Sequence, residues 1–238
     1  EVVSSFISEN DFDRVRTIQK NILSAYDHDF SKHAPAEIVP RIKMLWQSIP
    51  SQLSKENKKF IYGVVKQGGR AKEFELALAW MTDCGLVYKI QRISKAAVPL
   101  IAYQDTSAFK LFILDVGLLS AMGGLTKQTI LMGNSIFSEF KGALAEQFVL
   151  QHLKTRQDIQ VFYWSSDTSR GELDFVIQNN DRVIPIEVKA EENLKAKSLK
   201  SFFEKFHPTT SVRTSMSDYR KEGWLVNVPL YAIDSFSF

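Results

Sequence analysis

The stretch GELDFVIQNNDRVIPIEVKA, residues 171–190, carries the strongest structural signal in this 238-residue chain. Val, Ile and Phe crowd two runs, Leu173–Ile177 and Val183–Ala190, and the pair Asn179–Asn180 between them is a turn signal. The stretch therefore reads as a β-hairpin. Side chains alternate across a strand. Phe175, Ile177, Ile184, Ile186 and Val188 then share an apolar face, and Glu172, Asp174, Glu187 and Lys189 share the other. A turn centred on Asn179 and Asn180 sets Asp174 opposite Pro185 and makes Glu187 its diagonal neighbour, roughly 7–8 Å away. A slip of one residue would drive the acids into the core, so the pattern constrains the register. Pro185 has no N–H to give to a ladder and argues for a bulge or an unpaired edge at that point.

Two carboxylates and an ammonium on one strand face suit metal-assisted hydrolysis. Mg²⁺ is a hard cation that takes oxygen ligands and keeps several waters. Asp174 and Glu187 would supply carboxylate oxygens to Mg²⁺ or Mn²⁺, with a strand carbonyl near Val188 as a further donor. Such an ion polarises a phosphodiester and lowers the pKa of an attacking water. Lys189 would orient that water or offset negative charge building on the phosphate. Close carboxylates without a cation raise one another's pKa. The plainer alternative is a solvated strand face that carries Asp, Glu and Lys only because it is wet.

Upstream, Ser138–Thr155 is apolar almost all round and predicts a buried helix. Glu146 sits there among Gly142, Val149, Leu150 and Leu153, where a carboxylate is costly unless paired or metal-bound. It is either a third acid for the same ion or a glutamate that reaches out to solvent or pairs with a lysine. Gly142 is weak in a helix and would permit close approach to a sheet. Downstream, Asn193–Phe206 reads as a helix with Lys195, Lys197, Lys200 and Lys205 outside and Leu199, Phe202, Phe203 and Phe206 inside. Those lysines would either touch a phosphate backbone or form an ordinary solvated face. Thr210–Met216 and Pro229–Ile233 read as further strands. Helix, hairpin, helix and strand make an α/β core with a mixed sheet.

The N-terminal part reads differently. Helices are predicted over residues 11–30 with Asn10 or Asp11 as cap, from Pro35 to Ile49 with Pro50 as the stop, over Lys55–Val65 capped by Ser54, and over Arg70–Asp83. His28 and His33 flank the first connection without a third ligand nearby. Strands at Leu86–Ile93 and Phe109–Asp115 follow, a winged-helix-like order. The second helix of that pattern carries Glu73, Glu75 and Asp83 against Arg70 and Lys72, a poor balance for phosphate contacts. Gly123–Gly124 and the polar stretch Thr126–Thr129 mark a boundary, giving domains 1–125 and 134–238. Hydrophobic residues at 45%, charged residues at 24% and a net charge of +3 describe a globular protein whose charge does not by itself argue for nucleic acid. Cys84 is the single cysteine, which excludes an internal disulfide and fits a cytoplasmic setting. No apolar run approaches ~20 residues, so no membrane span is expected. The chain opens without Met and in mid-helix style, so a piece of a longer protein is expected.

The site residues give a resemblance. Asp174, Glu187 and Lys189, with Glu146 on the preceding helix, resemble the PD-(D/E)XK, restriction-endonuclease-like superfamily, although Leu173 stands where many members have Pro. KENKKFIYGVV, FKLFILDVGLLSAM, KGALAEQFVLQHL and GELDFVI with IPIEVKA together resemble the C-terminal region, a domain of unknown function, of prokaryotic AAA-type ATPases. That resemblance spans nearly the whole chain. It implies a helical, winged-helix-like domain followed by a restriction-endonuclease-like mixed-sheet domain, with Glu146, Asp174 and Glu187 as metal ligands. It also implies an N-terminal ATPase domain as partner. No G-x-x-x-x-G-K-[ST] loop occurs here, so ATP would bind only in that other domain. Three functions compete: a Mg²⁺-dependent nuclease acting on DNA, a non-catalytic interaction or regulatory module of the ATPase, and a DNA-binding anchor through the winged helix.

Overall fold

The computed structural model describes residues 1–55, 58–132, 138–166, 171–191 and 196–238. The chain divides into two compact units, Glu1–Lys89 with Leu111–Phe140, and Ile90–Lys110 with Lys141–Phe238. The boundary expected at Asn134 lies outside the described residues.

The first unit is largely helical, with α1 (Val2–Glu9), α2 (Phe12–His33), α3 (Val39–Leu53), α4 (Tyr62–Val65) and α5 (Ala71–Asp83). Asp11 caps α2 by accepting the N–H groups of Asp13 and Arg14, which an unaided helix start leaves without acceptors. Ile42, Leu45, Ile49 and Leu53 recur at helical spacing along α3 and have no exposed surface. Two expectations need correction. Pro50 does not stop α3, which runs on to Leu53 with the proline inside it, and Ser54 closes this helix instead of opening another. The helix expected over Lys55–Val65 shrinks to α4, with Glu56 and Asn57 outside the described residues. Here Gln52, 1% exposed, bonds both backbone groups of Ile61 and fixes the irregular chain.

β1 (Val87–Ile93) and β2 (Gln104–Ile113) straddle the division, and their connecting segment 90–110 belongs to the second unit. α6 (Val116–Met122) and α7 (Lys127–Met132) return to the first. α7 starts inside the polar stretch read as a boundary, where the Thr126 hydroxyl accepts the Thr129 N–H. The second unit continues with α8 (Ser138–Lys154), β3 (Ile159–Ser165), β4 (Glu172–Asn179), β5 (Arg182–Val188), α9 (Lys197–Phe206), β6 (Ser211–Ser215), β7 (Arg220–Glu222) and β8 (Leu225–Pro229). The expected strand Pro229–Ile233 lies earlier, as β8, and Leu230–Ala232 is a 3₁₀ turn. α9 begins at Lys197, and the Asn193–Lys195 part of the expected helix is outside the described residues.

These strands form one mixed sheet in the order β2-β1-β3-β4-β5-β6-β8-β7. β4 runs antiparallel to both of its neighbours, β3 and β5, whereas β1–β3, β5–β6 and β6–β8 are parallel pairs. The β1–β2 pair is thus taken up in the sheet and is not a separate wing. The hairpin turns at Asn180–Asp181, with Asn179 facing Arg182 and Asn180 in the left-handed region at φ 52° that asparagine tolerates. This moves the expected pairing by two residues, which keeps every side chain on its face. Phe175 pairs with Ile186, so Asp174 and Glu187 are the next residues on each strand, not diagonal neighbours. Pro185 is accommodated because the ladder to β6 begins at Ile186, one residue beyond it.

Both sides of the hairpin are covered. Val176 and Ile177 are consecutive and point to opposite faces, yet neither has exposed surface. On one side Leu173, Val176, Phe162 and Trp164 pack with Leu199 and Phe202 of α9. Burying each such side chain contributes about 1.5–3 kcal/mol. A bulge on β4 sets Asp174 and Phe175 together against Tyr163, because Val176 pairs with Phe162 and Leu173 with Trp164. An extra residue of this kind bends a strand and re-aims a side chain.

Candidate functional site

The bulge lies at the Asp174 position. The β4–β5 ladder ends at Phe175 and Ile186, and Val188 N–H, one step beyond Glu187, is taken by the Asp174 carboxylate at 2.7 Å. The acid of one strand is thereby tied to the backbone of Val188, the residue between Glu187 and Lys189 on the next. Lys189 Nζ lies 2.6 Å from Glu187 Oε1, and its side chain is 33% exposed, whereas that of Glu187 is 7% exposed. The other Glu187 oxygen accepts the Leu199 N–H at 3.2 Å. That N–H belongs to the first turn of α9, so Glu187 also serves as a remote cap for a helix whose own cap residue, Ala196, has no acceptor.

Glu146, 4% exposed on α8, meets a partner that the sequence reading missed. Lys110 of β2 has no exposed surface, and its Nζ lies 3.9 Å from Glu146 and 2.5 Å from Glu172. Burial pulls the Lys110 pKa down, but Glu172, Glu146 and Asp174 outweigh it and hold the ammonium above the usual lysine value. Its Nζ also sits 5.0 Å from the centre of the Tyr163 ring. Burial pushes the Tyr163 hydroxyl up to about 12, against the opposing pull of Lys110. One signal could have exposed Lys110: it is the single charge in the apolar run AFKLFIL, residues 108–114. Gly142 does not serve close packing, since a Cβ there would meet nothing within 4 Å.

The face read alternatively as a solvated one is only partly so: Glu187 is buried, Glu172, Asp174 and Lys189 are half-buried, and the acids are held by lysines and backbone N–H groups. Among the described residues no three of His, Cys, Asp and Glu stand together closely enough to hold a metal ion by themselves. The donor chemistry still fits Mg²⁺ in its usual mode, with one or two carboxylates, several waters and substrate phosphate in place of a protein cage. Asp174 and Glu187, adjacent and oxygen-bearing, are the pair that fits this mode.

The molecule is an α/β protein with a helical N-terminal part and a mixed sheet, and its residues 1–129 match the model of a domain of unknown function, DUF8612. That match covers more than half of the chain, and the chain belongs to this family. Residues 141–233 match a second domain of unknown function, DUF4143. No curated protein matches. Among solved structures, the crystal structure of protein VC1899 from Vibrio cholerae is similar at 15% identity and a TM-score of 0.27, over 82% of this chain and 48% of that one. The chain spans about half the length of that protein, and a likeness this distant carries no argument. Among the described residues no helix is long and apolar enough to cross a membrane.

Proposed function

We propose that the second unit is a nuclease-like module of the PD-(D/E)XK type, carried in the C-terminal part of an AAA-type ATPase, that hydrolyses DNA phosphodiester bonds with Mg²⁺ or Mn²⁺. The observation that carries this reading is the Val188–Asp174 hydrogen bond, which gathers Asp174, Glu187 and Lys189 around one peptide. The order α8, β3, the β4–β5 hairpin, α9, β6 supports the same fold type. The match over residues 141–233 and the resemblance to ATPase C-terminal regions support the attachment.

Asp174 and Glu187 would hold the ion. When bound, it supplies a Lewis acid and an acidified water. Lys189 keeps a positive charge beside Glu187 at the partly open edge of the site, where phosphate charge needs offsetting. Exposed Lys197, Lys200 and Lys205 on α9 offer sequence-independent backbone contacts. Calorimetric Mn²⁺ titration and plasmid nicking test the proposal together. Asp174→Asn should abolish both with the fold retained, and nicking that persists in Asp174→Asn and Glu187→Gln rejects it.

A second reading, a non-catalytic interaction or regulatory module, is favoured by one observation: both Glu187 oxygens already have partners, in Lys189 and in the first turn of α9. That module would give no heat on Mn²⁺ titration at any concentration at which the fold is intact.

A further inference from the structure

A row of buried polar side chains starts at Glu187 and ends under a loop. Glu187 of β5 stands opposite Arg213 of β6, and Arg213 stands opposite Asn227 of β8. Residues opposed on neighbouring strands share a face, so Asn227 lies on the face of Glu187, and all three are buried. Arg213 Nε and the Ser215 hydroxyl both donate to Asn227 Oδ1, each at 2.9 Å. Asn227 Nδ2 in turn donates to the carbonyls of Ser217 at 3.1 Å and Asp218 at 2.8 Å. Both donors and both lone pairs of the amide are thereby used. β6 and β7 flank β8, so residues 216–219 between them cross β8, and the amide pins them as they cross. Adjacent strands are about 4.8 Å apart, which sets the crossing roughly 10 Å from the backbone of Glu187.

On this pinned loop Met216 is 57% exposed and Tyr219 59% exposed. Cations surround the pair. Arg220 and Lys221 follow at the surface, with Arg220 meeting Glu222 at 3.2 Å. Lys189 borders Glu187, and exposed Lys197 opens the helix whose Leu199 N–H that acid accepts. A base inside a duplex hides both faces in the stack, whereas an unpaired base can lay one on an aromatic ring while nearby cations meet its phosphates. We infer that loop 216–219 is a substrate-contacting wall of the candidate site, where the Tyr219 ring stacks an unpaired nucleobase, and that the substrate is single-stranded DNA. The inference rests on the nuclease-like reading and names the substrate class of that site. The Glu187–Arg213–Asn227 row then fixes how far the stacked base stands from the hydrolysed phosphate.

The test uses the whole chain in EDTA, where cleavage does not interfere, and a single-stranded oligodeoxynucleotide. Fluorescence anisotropy reads binding, and quenching of an internal 2-aminopurine reads stacking. Tyr219→Ala should weaken single-strand binding about ten-fold or more and relieve the quenching, whereas Tyr219→Phe, which keeps the ring, should do neither. The same sequence as a duplex should bind the unchanged protein more weakly and lose nothing further in Tyr219→Ala. Tyr219 is exposed, so neither variant removes a core contact. Equal single-strand affinity in the unchanged protein and Tyr219→Ala overturns the inference, and so does an equal loss for the duplex. Tighter binding of the matching RNA overturns the assignment to DNA. The two readings fail separately. Metal-dependent nicking that is lost in Asp174→Asn but indifferent to Tyr219→Ala, with unaltered binding, removes the stacking loop alone. Ring-dependent binding without any nicking removes the nuclease-like reading alone.

Discussion

Replacing Glu187 with glutamine removes one charge and almost no volume, and the structure indicates what that charge does when no metal is present. One oxygen meets Lys189 at 2.6 Å, and the other accepts the Leu199 N–H at 3.2 Å. A carboxylate at a helix N-terminus gains about 0.3–1 kcal/mol from the aligned peptide dipoles, and up to ~2 kcal/mol when partly buried. Glutamine keeps a neutral acceptor, so the loss at α9 is about 1 kcal/mol. Lys189 is one-third exposed, and solvent screening discounts that ion pair to about 0.5 kcal/mol. The expected destabilisation is therefore about 1–2 kcal/mol in EDTA. Urea unfolding followed by tryptophan fluorescence suits the measurement, because Trp164, one of the four tryptophans, is 2% exposed and contacts Phe202 of α9 edge-on at 5.3 Å. An unchanged unfolding midpoint would refute the capping role of Glu187 and remove the observation that favours a non-catalytic module.

Two further outcomes follow from the core of the second unit. Leu173→Ala, at a position with no exposed surface on the covered face of β4, should cost about 2–5 kcal/mol by the same urea assay; a loss below about 1 kcal/mol would mean that this side chain does not pack as described. Tyr163 is held neutral in the fold up to about 12, from an ordinary 10.0, chiefly by burial. Its contribution is therefore present below pH 10 and is withdrawn as pH climbs from 10 towards about 12, so melting temperature should fall over that window and fall less in Tyr163→Phe. Identical alkaline profiles for the two proteins would show that the phenol is not the group responsible.

The hairpin and its neighbours were legible because their signals are local. Alternating Val, Ile and Phe around an Asn-rich turn marked both strands, and Asp11 ahead of an apolar stripe marked the start of α2. What the pattern could not carry was non-local. The turn sits one residue later than the Asn pair suggests, since Asn179 is still paired and Asn180 bends. The bulge at Asp174 depends on where β3 runs, which no residue of the hairpin specifies. Pro50 misled because a proline's ring and missing N–H act mainly on the preceding turn, and in α3 the helix absorbs it. Glu146 was legible as a carboxylate in need of a partner, but the partner is Lys110, 36 positions earlier in the chain, and only packing brings the two together.

The excursion of residues 90–110 into the second unit makes that unit discontinuous along the chain. A gene fusion joined near residue 141 would transplant the hairpin and α9 while leaving behind β1, whose Arg92 and Ile93 align with Tyr163 and Trp164 of β3. The transplanted sheet would end on an unpaired edge, with Glu172 and Glu146 stripped of their ammonium. The second unit is therefore built from two separated pieces of sequence, one inside each of the two matched segments.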